Sequence, residues 1–259
     1  MKIGDFVVRK SYGKDIVFYI CEINNDIAIL KGITIRIIAD SPLEDLEKTD
    51  ISRIKKELLN FDKELKEVKK TKQKNFILKR VKIKYGRILH LDGDRKYSIK
   101  SQSIYRNMGL NVVVKNVAEN RQPQVIINLL NRYNPDILVV TGHDGMVKKG
   151  HNFNDIYNYR NSKYFIETVR KARMYCGNNL AIFAGACQSY YEGLMEAGAN
   201  FASSPARILI DFKDPIIVAG KIAVTEAEQF ITIKDFEYEL RDGNHGISGT
   251  GCYGKKIII

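Results

Sequence analysis

Acyl transfer by a thiol requires a cysteine and a histidine, and in this chain one of each stands at the end of a short apolar run. Asp136-Ile-Leu-Val-Val-Thr-Gly142 leads into His143-Asp144-Gly145, and Leu180-Ala-Ile-Phe-Ala-Gly-Ala186 leads into Cys187-Gln188-Ser189. The thiolate is the nucleophilic form of cysteine, and a neighbouring imidazole can remove its proton and later return one to a leaving amine. The oxyanion also needs N–H donors. Cys187's own backbone N–H, at an expected strand-to-helix turn, is one candidate, and Asp144 or Gly145 offers the second. Taken singly, a cysteine ending an apolar strand is ordinarily a small buried hydrophobe, and a loop histidine ordinarily a hydrogen-bonding residue. The pair carries more than either alone.

Runs so short, apolar and rich in small or β-branched residues suit strands buried on both faces of a parallel sheet. Such sheets do their chemistry at the carboxyl edge. Between the two runs, residues 162–176 place Phe165, Ile166, Val169 and Ala172 at helical spacing, as a crossover helix joining parallel neighbours would. That topology sets His143 beside Cys187. From about residue 86 the pattern alternates throughout. Strands are expected at 87–91, 111–115, 207–210 and 216–218, and helices at 96–108, 122–133 and 190–197, giving an α/β/α domain. The first 48 residues instead show short β-type runs at 6–9, 16–21, 27–30 and 35–39, separated by Gly13, Asn24-Asn-Asp26 and Gly32. They predict a small SH3-like β-barrel serving as a docking or regulatory module. The expected organisation is a barrel at 1–48, a basic helix and linker at 49–84, and a catalytic domain at 85–259.

The 259-residue chain carries a formal charge of +12, and most of the excess lies between residues 53 and 84, with 13 Lys or Arg against four acids. A patch of that sign can attract nucleic acid. However, Ile54, Leu58, Phe61, Leu65 and Val68 fall on one helical face, so a solvated amphipathic helix is the preferred reading. No apolar stretch is long enough for a membrane span, and the N-terminus lacks a secretory h-region, so an intracellular protein is expected. Cys21, Cys176, Cys187 and Cys252 show no CxxC or Cys/His ligand spacing, which argues against a disulfide framework or a zinc site. No metal or cofactor is expected.

An apolar strand ending in His with a nearby Gly, then a second ending in Ala-Cys, resembles the caspase, legumain, gingipain and clostripain clan of cysteine peptidases. Further blocks narrow the resemblance: Ile3-Gly-Asp5, Arg9-Lys-Ser-Tyr12, His90-Leu-Asp-Gly-Asp94, Pro135-Asp-Ile-Leu-Val139, Thr141-Gly-His-Asp144, Phe183-Ala-Gly-Ala-Cys-Gln-Ser189 and Ala197-Gly-Ala-Asn-Phe-Ala-Ser-Ser-Pro205. Together they are similar to the YabG sporulation peptidases over nearly the whole chain. The resemblance implies a caspase-like domain and a cysteine endopeptidase cutting after arginine. It also implies action on spore coat and related proteins in the mother cell of a sporulating bacterium, at the spore coat. Two features depart from the wider clan. Asp144, not Gly, follows the histidine, and Gly185 stands where an acid often precedes the cysteine by two residues.

The acid of an arginine pocket must then come from elsewhere, and Asp92 and Asp94 are the candidates. They follow the first strand, in the loop from which caspases supply the arginine that binds an aspartate. The competing role is capping of the following helix. Ser203 and Ser204 resemble the clan's substrate-lining strand. His90 is expected to be a packed or hydrogen-bonded side chain, and His151 and His245 lack an evident partner. Basic sites such as Lys79-Arg80 and Arg87 make self-cleavage conceivable. The competing function is a non-enzymatic α/β nucleotide- or phosphate-binding domain with a basic nucleic-acid-binding arm. No Gly-rich phosphate loop follows the first strand, which favours the peptidase.

Overall fold

The structure, a computed structural model, describes residues 1–66, 83–147 and 152–258. The linker at 67–82, with Lys79-Arg80, and His151 lie outside the described residues. The N-terminal strands are β1 (Phe6–Arg9), β2 (Phe18–Asn24), β3 (Ile27–Gly32), β4 (Ile38–Pro42) and β5 (Leu46–Lys48), in the antiparallel order β4-β3-β2-β1-β5. No ladder joins β4 to β5 among the described residues, so this is an open sheet and not the closed SH3-like barrel that was expected. Its geometry gives a reason. The first residue of β4, Ile38, donates its N–H to Asp144 O (3.0 Å), so the edge that would close a barrel docks on the second unit instead. Helix α1 (Ile51–Lys66) follows, with Ile54 and Leu58 packed on Val8, Val17 and Ile33. Phe61 continues into the main core, edge-on to Tyr97 and Phe212. Ile54, Leu58 and Phe61 thus pack as the apolar spacing predicts, while Val68 of the expected face lies outside the described residues.

The second unit runs β6 (Ile83–Lys84), β7 (Ile88–Asp92), α2 (Arg95–Asn107), β8 (Val112–Asn116), α3 (Gln122–Tyr133), β9 (Ile137–Thr141), α4 (Ser162–Cys176), β10 (Ala181–Ala184), α5 (Tyr191–Glu196) and β11 (Phe201–Ser203). It closes with α6 (Asp214–Val224), β12 (Phe230–Ile231), α7 (Gly243–Gly246), β13 (Ile247–Gly249), β14 (Cys252–Tyr253) and β15 (Ile257–Ile258). The main sheet has the order β13-β11-β10-β9-β7-β8, with five parallel strands and an antiparallel β13 at one edge. Successive strand residues feed opposite cores, which is why the strands read as continuous apolar runs. Leu89, Leu138 and Ile182 face Ile126, Phe165 and Val169 of α3 and α4, while Ile88, Val139 and Phe183 face Tyr105, Ile216 and Ile222 of α2 and α6. The expected crossover helix is α4.

Two expected strands are absent. Residues 216–218 belong to α6, which starts with Pro215 in its first turn and is apolar nearly all round because it is buried against the sheet. A short apolar run does not by itself distinguish a buried helix from a strand. Residues 207–210 form no strand; Ile208 O instead accepts from Gln188 N (3.1 Å), tying this segment to the Cys187 turn. No described helix is long and apolar enough to cross a membrane.

Candidate functional site

The parallel register builds the site. Val140 stands opposite Ala184, and Gly185 N–H continues the ladder to Val140 O (2.9 Å). Beyond the ladder, His143 follows the end of β9 by two residues and Cys187 follows the end of β10 by three, so both stand at the carboxyl edge of neighbouring strands. On the other side of β9, Asp92 stands opposite Thr141. Three adjacent strand ends therefore deliver an acid, a hydroxyl, an imidazole and a thiol to one edge. Tyr97 of α2 packs its ring edge-on to that of His143 (5.8 Å) and lies within electrostatic reach of the Cys187 thiol.

Both residues are sealed from solvent. Burial holds the His143 imidazole well below its usual range, with the Lys31 and Arg36 charges adding to the effect. Neither ring nitrogen has a hydrogen-bond partner among the described residues. Burial likewise pushes the Cys187 thiol up to about 11, and its Sγ lies 3.8 Å from Ile210 O, its hydrogen-bond acceptor. In this arrangement the pair is a neutral thiol and a neutral imidazole. Cys187 belongs to one apolar cluster with Val7, Phe18, Leu30 and Ile37 of the N-terminal unit and with Ile210, while Tyr97 of α2 packs on His143.

From the N-terminal unit Arg36 enters the site. Its side chain is 1% exposed, and Nη1 donates to Asp92 Oδ2 (3.2 Å) and to Thr141 Oγ1 (2.6 Å). Asp92 is wholly buried, and desolvation raises it to about 6 despite the arginine beside it. Asp94 behaves differently. Its Oδ1 accepts from Lys96 N (2.8 Å) as the N-cap of α2, and its Oδ2 pairs with Lys31 (3.3 Å), 4.0 Å from His143 Nε2. Of the two acids, Asp94 therefore takes the helix-capping role, while Asp92 holds Arg36 and accepts from Asp94 N (2.8 Å).

Asp144 is a structural hub. Its carboxylate receives Gly145 N (2.9 Å), Asn161 N (2.8 Å), Ser162 Oγ (2.5 Å) and Ser189 Oγ (2.9 Å), joining the His143 loop, the start of α4 and the Cys187 turn. Burial raises it to about 6 against those hydrogen bonds. The Gly145 N–H is therefore engaged by its neighbour's carboxylate. Ser203 Oγ donates to Ala186 O (3.0 Å) and Ser204 Oγ to Ile208 O (2.9 Å), so both buried serines brace the turn beneath the thiol. Helix α5 starts at Tyr191, four residues beyond Cys187. His90 is packed, its Nδ1 3.1 Å from Tyr105 Oη. His245 lies in α7, where its carbonyl accepts from Ala206 N (3.3 Å).

Three neighbours of the site were not singled out in the sequence: Arg36, Glu119 and Tyr97. In the sequence Arg36 falls only within the β-type run at 35–39. Glu119 follows β8, and the parallel topology alone would have put it at the carboxyl edge. Its Oε1 accepts His143 N–H at 2.7 Å.

A doubly covered, mainly parallel sheet whose carboxyl edge gathers an imidazole, a thiol and buried carboxylates defines an α/β enzyme with its chemistry at the strand ends. The chain belongs to the family described as YabG peptidase U57, whose family model matches residues 2–257. A curated relative, the "Sporulation-specific protease YabG" of Bacillus subtilis (strain 168), is 39% identical over 279 residues, covering 98% of this chain and 95% of the relative. Membership in a sporulation peptidase family implies protein substrates and sets aside the non-enzymatic phosphate-binding reading.

Proposed function

We propose that this chain is an arginine-specific cysteine endopeptidase that uses Cys187 and His143 and processes spore coat and related proteins during sporulation. What supports the reading is that the ends of adjacent strands bring His143 and Cys187 to one sheet edge, beside a buried carboxylate that already holds a guanidinium. Neutral imidazole takes the thiol proton, and the thiolate attacks the carbonyl carbon of the substrate arginine itself. The oxyanion is met by the backbone N–H of Cys187 and of Asp144. The intermediate collapses to a thioester as the amine leaves with the proton from His143. Water, deprotonated by His143, then cleaves the thioester, releasing the carboxylate product and regenerating the thiol. Asp92 supplies the charge for the substrate guanidinium.

The test is to treat the full chain with an arginyl chloromethyl ketone, map the alkylated residue, and assay Cys187→Ala and His143→Ala on an arginyl peptide. Alkylation at Cys187 with loss of cleavage in both folded variants is expected. Near wild-type turnover in Cys187→Ala would overturn the assignment.

A further inference from the structure

Arg36 occupies an unusual place for an arginine of a separate sheet. It lies at the apex of the β3–β4 connection, where Ile37 N–H closes back on Ile35 O (2.9 Å) and Gly32 N–H on Ile37 O (3.0 Å). From this tight turn the side chain crosses to the carboxyl edge and reaches Asp92 and Thr141 through one nitrogen, while Nε and Nη2 have no partner among the described residues. The docking around it is extensive: Ile38 N–H to Asp144 O (3.0 Å), Lys96 Nζ to Ile33 O (2.9 Å) and Lys31 to Asp94 (3.3 Å). A buried guanidinium with two unmet nitrogens is a costly arrangement for a purely structural contact.

We propose that Arg36 is a resident occupant of the substrate-guanidinium seat formed by Asp92 and Thr141, so that the N-terminal sheet holds the enzyme closed until its β3–β4 turn is displaced. The proposal rests on the arginine-pocket reading given above and adds Thr141 as a second residue that determines specificity. Arg36 acts as a blocker and not as a scissile residue. In the turn, Ile35 O and Ile37 N–H satisfy each other, which bends the chain at Arg36 away from the extended form of a bound substrate, although Ile37 beyond it bridges Asp144. A substrate arginine competes with an intramolecular one, which reduces its apparent affinity by the fraction of open molecules.

The experiment uses the full chain, Arg36→Ala, and Arg36→Ala/Asp92→Asn, with two readouts. In the first, kcat/KM on a short arginyl peptide should rise about tenfold or more in Arg36→Ala. In the second, the guanidinium compound agmatine should raise the melting temperature of Arg36→Ala but not of the wild type or the double variant. Agmatine binding without arginyl cleavage would keep the seat and refute the peptidase reading. If neither readout changes, or if intact mass shows the chain cut after Arg36, the blocker is refuted. Should Arg36→Ala fail to fold, Arg36→Gln keeps the side-chain length and carries the same two readouts.

A separate observation concerns Glu119. Its carboxyl lies between the loops that follow β7 and β9: a Cβ at Gly93 or Gly142 would meet Oε1 at 2.1 or 2.5 Å. Two glycines thus leave room for this side chain. Oε1 holds the His143 backbone N–H (2.7 Å) and lies 3.9 Å from His143 Nδ1, and the side chain is only 14% exposed. The geometry points to Glu119 as the positioning residue that fixes His143 and stabilises the imidazolium formed in turnover, again on the reading that His143 is the base. Glu119→Gln should lower kcat about tenfold or more with KM and melting temperature little changed, and Glu119→Asp should fall between. An unchanged kcat, or a loss of kcat matched by unfolding in Gln and Asp alike, refutes it. Full activity in a His143→Ala control would instead mark failure of the underlying assignment.

Discussion

Asp92 and Asp94 are two residues apart, yet one faces a guanidinium and the other caps α2. Asp92→Asn removes a charge-assisted contact in a desolvated pocket, an effect of about 2 to 5 kcal/mol. That corresponds to a fall of roughly thirtyfold or more in kcat/KM for arginyl peptides, at about 1.4 kcal/mol per decade. Asp94→Asn instead should leave the preference for arginine over citrulline intact and cost about 1 kcal/mol or less in stability through the cap and the Lys31 pair. Measuring both substrates on both variants decides it, and equal loss of preference would contradict the division of roles. His90 gives a pH prediction. Burial lowers its folded pKa to about 3, far below the unfolded value near 6.5, so the unfolded chain takes up a proton that the folded chain refuses. Its contribution is present at neutral pH and is lost as pH falls from about 6.5 towards 3, amounting to about 1.6 kcal/mol between pH 6.5 and 5. Urea melts should show a smaller stability gap between those pH values in His90→Gln than in the wild type, and an equal gap would rule this out.

At the scale of elements, the strands carrying His143 and Cys187 and the helix between them were legible because full burial writes itself as uninterrupted apolar runs and helical spacing. What the sequence could not resolve was the fate of segments whose structure depends on tertiary neighbours. The run at 216–218 became part of α6, and β4 used its edge for docking, so the barrel stayed open. The division between Asp92 and Asp94 was also invisible, since both acids precede the same helix. Arg173 is a further element-scale feature outside the site. From the last turn of α4 it donates to Gly177 O, Leu180 O, Gly198 O and Asn200 Oδ1, tying that helix to the starts of β10 and β11. Asn200 in turn receives Ile182 N (2.8 Å). Arg173→Met keeps the stem but strands several part-buried acceptors, so a loss of roughly 2 kcal/mol is expected from denaturant midpoints. A shift within ±0.5 kcal/mol would show that water replaces the guanidinium.

At the scale of the molecule, the two sheets meet across the carboxyl edge, and that meeting decides which cysteine solvent reaches. Cys21 and Cys176 are partly exposed, whereas Cys187 has no exposed surface and Cys252 is 8% exposed. Burial raises all four thiols, Cys187 and Cys252 to about 11, so chemical reactivity and access point the same way. Iodoacetamide added to the native full chain at neutral pH should therefore label Cys21 and Cys176 well before Cys187 and Cys252. Peptide mass spectrometry over a time course reads the order. Labelling of Cys187 is then expected to report lifting of the N-terminal unit, which supplies most of the apolar cluster that includes this cysteine. Arg36→Ala removes one of the polar ties across the same boundary and should speed Cys187 labelling selectively, leaving Cys252, which lies away from the boundary in β14, at the wild-type rate. If Cys187 is the first thiol alkylated in the wild type, the closed arrangement is not the dominant one in solution, and the cover over the site is open by default.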